Sequence, residues 1–260
     1  INHKNGTFKE VSKEQLGHTS NFSMGNDVAD INNDLLPDIF TLDMLPEDNR
    51  RQKLLMAPDN YDKFDLGVRS GFHYQYMRNM LQINNGNGSF SEVGQISGIS
   101  NTDWSWAALF ADYDNDGLKD LYITNGYLHD YTNLDFLKYM DDFMANKQGG
   151  FQRTDVLELV QKMPSSNVKN YIFRNNGQLN FKDQTTNWGM GEQSNSSGAS
   201  YADLDNDGDL DLVVNNINSP AFIYQNEANS KVGNQFLKVK LTGENANKMG
   251  IGAKVYLYSQ

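Results

Sequence analysis

The 260-residue sequence contains no cysteine, so neither a disulfide framework nor a thiolate metal site is open to it, and redox chemistry says nothing of its compartment. It has no apolar run near the roughly 20 residues that span a bilayer. Ile1 leads into Asn5-Gly6-Thr7-Phe8 without a charged or apolar leader, so any export signal is expected to have been cut away. Basic side chains are few: 22 against 33 acidic ones, a formal net charge of −11, with no cluster of Lys or Arg. That argues against nucleic acid as a partner, because phosphate binding draws its affinity from clustered positive charge. The metalloprotease, nucleophile-elbow, Walker and dinucleotide signatures are all missing. The four histidines, His3, His18, His73 and His129, are scattered and read as surface or packed residues. Hydrophobic residues, at 38%, suffice for a buried core.

What the sequence does have is a repeat. Three segments share a turn ending in Phe, a small residue, then Ala before an aspartate-rich loop and an apolar strand. Phe8 precedes Asp30 by 22 residues, Phe90 precedes Asp112 by 22, and Phe181 precedes Asp203 by 22. Ala29, Ala111 and Ala202 stand immediately before the loops, and Gly25, Ala107 and Gly198 stand five positions before each first aspartate. The loops are 82 and 91 residues apart, longer than common propeller blades of ~40–50 residues. Insertions at about 45–71 and 127–169 account for the excess and are expected to pack on the surface. The first should be helical over about 47–56. In the second, Leu134, Leu137, Met140 and Met144 recur at helical spacing behind Asn133, a candidate N-cap, and another helix over 154–163 should stop at Pro164. Residues 74–83 and 171–174 read as strands leading into the turns Asn84-Asn85-Gly86-Asn87-Gly88 and Asn175-Asn176-Gly177.

The loops carry the chemistry. Asp112, Asp114, Asp116 and Asp120, and Asp203, Asp205, Asp207 and Asp211, place carboxylates at positions 1, 3, 5 and 9, while Asp30, Asn32, Asp34 and Asp38 do so with an amide at position 3. Calcium takes six to eight oxygens at about 2.3–2.6 Å, and alternate residues of a tight loop can aim theirs at one centre. The position 7 carbonyls of Leu36, Leu118 and Asp209 should complete each shell. Position 6 is Gly117 and Gly208 but Leu35 in the first loop, which must take a glycine-like conformation if it keeps the same path. An EF-hand would need Glu at position 12, and that position holds Thr41, Ile123 and Val214. Eleven carboxylates at ligand positions would repel one another without a cation. Three bound calcium ions, adding six positive charges, would bring the formal charge from −11 to −5. Calcium modules outside cells bind at ~10⁻⁴–10⁻³ M, so an extracellular or cell-surface location is expected.

Asn87-Gly88-Ser89-Phe90 with residues 112–120, Gln178-Leu179-Asn180-Phe181 with 203–211, and the weaker Asn5-Gly6-Thr7-Phe8 with 30–38 resemble the FG-GAP/VCBS repeats of the integrin-α head and of many secreted bacterial proteins. The resemblance implies an all-β fold, a fragment of a seven-bladed β-propeller with calcium loops and helical insertions, over residues 1–228 (repeats near 5–43, 84–126 and 175–216). Residues 229–260, with Phe236-Leu237-Lys238-Val239-Lys240-Leu241 and Gly250-Ile251-Gly252-Ala253-Lys254-Val255, resemble the start of an ASPIC/UnbV domain, as in cartilage acidic protein-like sequences. A longer parent polypeptide with further blades is then expected. The function implied is calcium-stabilised binding of a protein or glycan at the cell surface. The alternatives are a structural spacer, or a glycan-degrading enzyme using two of Asp103, Asp130, Asp135, Asp141 and Asp142, since that chemistry needs only two carboxyls at suitable separation. Trp104, Trp106 and Trp188, near the strands preceding the loops, and Tyr127, His129 and Tyr131 could bind sugars or protein partners, but Trp104 and Trp106 suit core packing better, and the insertion aromatics suit either.

Overall fold

In the computed structural model, which describes residues 1–55, 60–147, 149–231, 233–234 and 236–258, the apolar runs between the Asn- and Gly-rich turns pair into antiparallel sheets. Sheet I joins Asn26–Ala29, Asp38–Thr41, Met80–Asn84 and Phe90–Glu92 in that spatial order, and sheet II joins Ser105–Ala111, Asp120–Asn125, Tyr171–Asn175 and Phe181–Asp183. Sheet III joins Ser196–Ala202, Asp211–Asn216 and Phe222–Tyr224. Each is a meander in which neighbours in sequence are neighbours in space. None closes on itself, and the fold is mostly β and propeller-like, with the first strand of each sheet packed against the first strand of the next.

The repeat is explained by strand register. The alanine before each loop pairs with the aspartate at position 9, Ala29 with Asp38, Ala111 with Asp120 and Ala202 with Asp211. The turn phenylalanines pair with an asparagine ending the third strand, Phe90 with Asn84 and Phe181 with Asn175. A sequence repeat therefore begins with the last hairpin of one sheet and ends with the loop hairpin of the next. Phe8 makes only an isolated bridge to Asn2 and is exposed.

Two cores fill the spaces between sheets. Phe40, Leu42, Leu81 and Ile83 of sheet I pack against Phe110, Leu121, Ile123 and Phe173 of sheet II, and Tyr122 and Ile172 on the opposite face pack with Leu212 and Val214 of sheet III. The strand Asp120–Asn125 is buried along its whole length because sheet II is covered on both faces, and it is accordingly rich in β-branched and aromatic residues. Each fully buried large side chain there contributes about 1.5–3 kcal/mol.

Both insertions leave from the connection between the second and third strands, the end of the sheets opposite the aspartate loops. The first forms helices Asn49–Leu55 and Tyr61–Arg69. The sequence expectation of one helix to Met56 missed the second, whose start is signalled by Asn60 capping the Lys63 N–H, and Met56 lies outside the described residues. The second forms Leu134–Asn146, capped as expected by Asn133, and Arg153–Lys162, which ends just before Pro164. The expected continuous strand over 74–83 is broken. Gln75–Tyr76 pairs in parallel with Thr19–Ser20 outside sheet I, and only Met80–Asn84 enters it. Among the described residues of 236–258 there is no strand.

The aligned small residues answer different needs. A Cβ on Gly25 would stand 2.0 Å from the Trp106 carbonyl oxygen, so the first strands of sheets I and II approach backbone to backbone, and Phe110 N–H donates to Asp27 Oδ2 at 2.7 Å beside the contact. Ala107 and Gly198 sit where the first strands of sheets II and III shift register, and a Cβ on Gly198 would meet nothing within 4 Å. Gly25→Ala is expected to lower stability by about 1–3 kcal/mol through overpacking, whereas Gly198→Ala should stay within about 0.5 kcal/mol of the parent. Urea unfolding of both variants measures the difference, and equal losses would refute the close-approach explanation.

Candidate metal centre

The three aspartate loops are copies of one hydrogen-bonded scaffold. At position 5 the carboxylate accepts the N–H of position 7: Asp34 from Leu36 at 2.8 Å, Asp116 from Leu118 at 2.9 Å and Asp207 from Asp209 at 3.0 Å. At position 1, Asp30 accepts from Asp34 and Leu35 at 3.1 and 2.8 Å, and Asp112 from Asp116 and Gly117 at 3.0 and 2.8 Å. Position 4 is Asn33, Asn115 and Asn206, all at positive φ (58°, 54° and 64°), a conformation asparagine tolerates better than most side chains. Position 6 follows: Leu35 at 69° beside Gly117 at 91° and Gly208 at 95°. The first loop thus keeps the common path at the expense of a strained leucine.

Position 9 does something the sequence did not suggest. Each of these aspartates is almost fully buried and spans two backbone donors. Asp38 accepts Ile31 N–H at 3.2 Å and Asn84 N–H at 2.9 Å, Asp120 accepts Tyr113 at 3.1 Å and Asn175 at 2.9 Å, and Asp211 accepts Leu204 at 2.9 Å and Asn226 at 2.8 Å. Read from sequence as a closing ligand, position 9 also staples the loop to the residue at or just past the end of the third strand.

Positions 1, 3 and 5 come together. Ligand atoms of Asp112, Asp114 and Asp116 lie within 4.8 Å of one another, as do those of Asp203, Asp205 and Asp207, and these are the metal-capable acidic groups among the described residues. Asp114 Oδ1 and Asp203 Oδ1 are buried with no hydrogen-bond partner, which is costly unless something positive faces them. In the first loop Asn32 instead donates its amide to Asp34 Oδ2 at 3.0 Å, quieting the repulsion internally. The position 7 side chains of Leu36 and Leu118 pack over Gly86 and Gly177 of the strand turns, while Asp209 is fully buried and accepts the Asn115 amide at 2.6 Å and Asn229 N–H at 2.8 Å.

Partial counter-charge is already present. Arg174 bridges Asp114 and Asp116 at 2.5 and 2.8 Å, Gln225 at the matching place donates to Asp205 at 2.8 Å, and Lys238 pairs with Asp203 at 3.0 Å. The Lys238 hydrogen bond holds the Asp203 carboxyl below the usual carboxylate range. Burial pushes four carboxyls up: Asp38, Asp112, Asp114 in spite of Arg174, and Asp120 to about 8 against the pull of its two N–H donors. The second loop is therefore short of positive charge, and the all-oxygen donor sets of the second and third loops, each with an orphaned oxygen, could hold a hard divalent cation.

Residues 65–123 and 152–214, together just under half of the chain, match the family model of the FG-GAP-like repeat. This supports an FG-GAP repeat family. Both FG-GAP-like segments start near an insertion helix, cross the sheet boundary and end in the strand after an aspartate loop, so they contain the same two loops that form acidic groups. No curated protein matches the chain in sequence.

The staple and the ligand positions are separable by substitution. Asp120→Ala strands two buried N–H groups and is expected to cost about 2–5 kcal/mol in chelator, whereas Asp114→Ala, losing a pair with the partly exposed Arg174, should cost under about 1 kcal/mol. Denaturant unfolding without divalent ions tests this. A larger loss for Asp114→Ala would reverse the assignment.

Proposed function

We propose that the chain is a calcium-stabilised portion of an FG-GAP repeat propeller, seven-bladed when complete, that binds a protein or glycan outside the cell. The observation that carries the calcium reading is the second loop, where three carboxylates converge and a buried oxygen of Asp114 has no partner. Its ligands would be Asp112, Asp114 and Asp116, with Asp120 behind them, and the third loop would use Asp203, Asp205 and Asp207 in the same way. A third site at Asp30, Asn32 and Asp34 is supported by the shared scaffold, with Leu35 strain and one fewer carboxylate making it the weakest. Bound calcium would neutralise the loops and hold the ends of the sheets together. Its requirement for high free calcium supports the extracellular or cell-surface placement.

Binding rather than catalysis is supported by the acids outside the loops. Asp103 is held by Arg51 at 2.5 and 2.8 Å, and Asp130 is buried between Ser166 and Thr132. The insertion end offers exposed Phe72 and Tyr131, the kind of side chain that binds sugar or protein at small entropic cost. Trp104, stacked on Tyr127 at 4.2 Å, is buried as packing. Exposed Val28 on sheet I and Val213 and Ile223 on sheet III support further blades on either side. The ASPIC/UnbV reading of residues 229–260 is retained as part of the proposal.

Calorimetric titration should give calcium binding at each loop, with the first site weakest and strengthened by Leu35→Gly. Calcium at 100 times Kd should add about 2.7 kcal/mol per site, so excess chelator should lower the thermal midpoint. An unchanged midpoint would remove calcium from the account. Ligand class is tested by a glycan and protein-partner screen with and without chelator, in which polysaccharide turnover would favour the enzyme and inertness the spacer.

A further inference from the structure

We propose that the asparagine at or just past the end of each third strand is a latch that links cation occupancy of one aspartate loop to that of the loop in the preceding sheet. The inference rests on the cation reading of the loops, whose independent support is the buried, unpartnered Asp114 Oδ1.

Asn226 makes four contacts. Its N–H donates to Asp211 Oδ1 at 2.8 Å, its Oδ1 accepts Ala228 N–H at 3.1 Å, and its amide nitrogen donates both to Leu210 O of its own loop at 3.3 Å and to Tyr113 O of the preceding loop at 2.7 Å. Asn175 repeats all four: Asp120 Oδ1 at 2.9 Å, Gly177 N–H at 3.0 Å, Lys119 O at 3.1 Å and Ile31 O at 3.0 Å. Asn84 makes the three that lie within its own sheet, to Asp38, Gly86 and Pro37. The two carbonyls need two donors on one short side chain that also accepts a bond, which only asparagine supplies; aspartate has no donor and glutamine is a methylene too long.

The bonds form one relay. Asp38 holds the Ile31 N–H, the Ile31 carbonyl is held by Asn175, whose N–H is on Asp120; Asp120 holds the Tyr113 N–H, and the Tyr113 carbonyl is held by Asn226, whose N–H is on Asp211. Position 2, where each latch lands, lies between the ligand positions 1 and 3. A second link runs the other way, from Asn33 to the Gly117 carbonyl at 2.9 Å and from Asn115 to Asp209 Oδ1 at 2.6 Å. A cation that orders the third loop fixes Asp211 and with it Asn226, so the second loop has less freedom left to lose when it binds. The coupling is positive, and by linkage it is reciprocal.

The test is hydrogen exchange of a peptide covering 112–120 during calcium titration of the whole chain, with the third loop disabled by Asp205→Asn and Asp207→Asn. In the parent, disabling that loop should raise the calcium midpoint for 112–120 by about fivefold or more. In Asn226→Ala, or in Asn226→Gln should alanine not fold, it should shift the midpoint less than twofold. A midpoint indifferent to the third loop in the parent overturns the coupling, and coupling undiminished in the Asn226 variants overturns the latch. If 112–120 gains no protection from calcium in the parent, the cation reading itself fails, which separates that failure from the others.

Discussion

A buried carboxylate with two backbone N–H donors, repeated as Asp38, Asp120 and Asp211, is the constraint on which the arrangement depends. It closes each loop against the end of its own third strand and pairs with the alanine that precedes the loop, and so fixes where the loop begins. Burying an ionised group is unfavourable unless donors surround it, and the Asp120 carboxyl, pushed up to about 8, shows that two N–H groups compensate only in part. Beside it in the same loop Asp112, Asp114 and Asp116 converge. Fold closure and the convergence of carboxylates that could hold a cation are thus two results of the same placement of acids.

The acids of the three loops are not balanced identically. Arg174 neutralises two acids of the second, Gln225 and Lys238 lean on the third, and the first substitutes an amide for a carboxylate. Arg174, Gln225 and Ile83 all stand immediately before a latch asparagine, so this register position brings a charge to the second loop, a neutral amide to the third and an apolar side chain to the first.

The loops, the small residues before them, the capped helix behind Asn133 and the strand character of 171–174 were legible in the sequence, because each is written in contiguous residues. The asparagines Asn84, Asn175 and Asn226 were legible only as turn residues, or not at all for Asn226. They follow their loops' last aspartates by 46, 55 and 15 residues, so the insertions erase the periodicity that would have aligned them. The usable signal was local: an aliphatic residue three positions before each asparagine, in Leu81-Gln82-Ile83-Asn84, Ile172-Phe173-Arg174-Asn175 and Ile223-Tyr224-Gln225-Asn226. The break in 74–83 was hidden for another reason. Apart from Arg78-Asn79 its residues suit a strand, and tertiary pairing of Gln75–Tyr76 with Thr19–Ser20 places its first part outside sheet I.

Both insertions occupy the same connection, while in sheet III only residues 217–221 join the corresponding strands. Every hydrogen bond of the relay lies at the other end. The molecule therefore separates a face whose geometry is held by repetition from one whose length is free to change, and segments added at the free face leave the register of the opposite face undisturbed. Such a division lets a single scaffold exchange the segments at its free face wholesale, by replacement of two connecting segments, without re-solving the problem of holding its sheets in line.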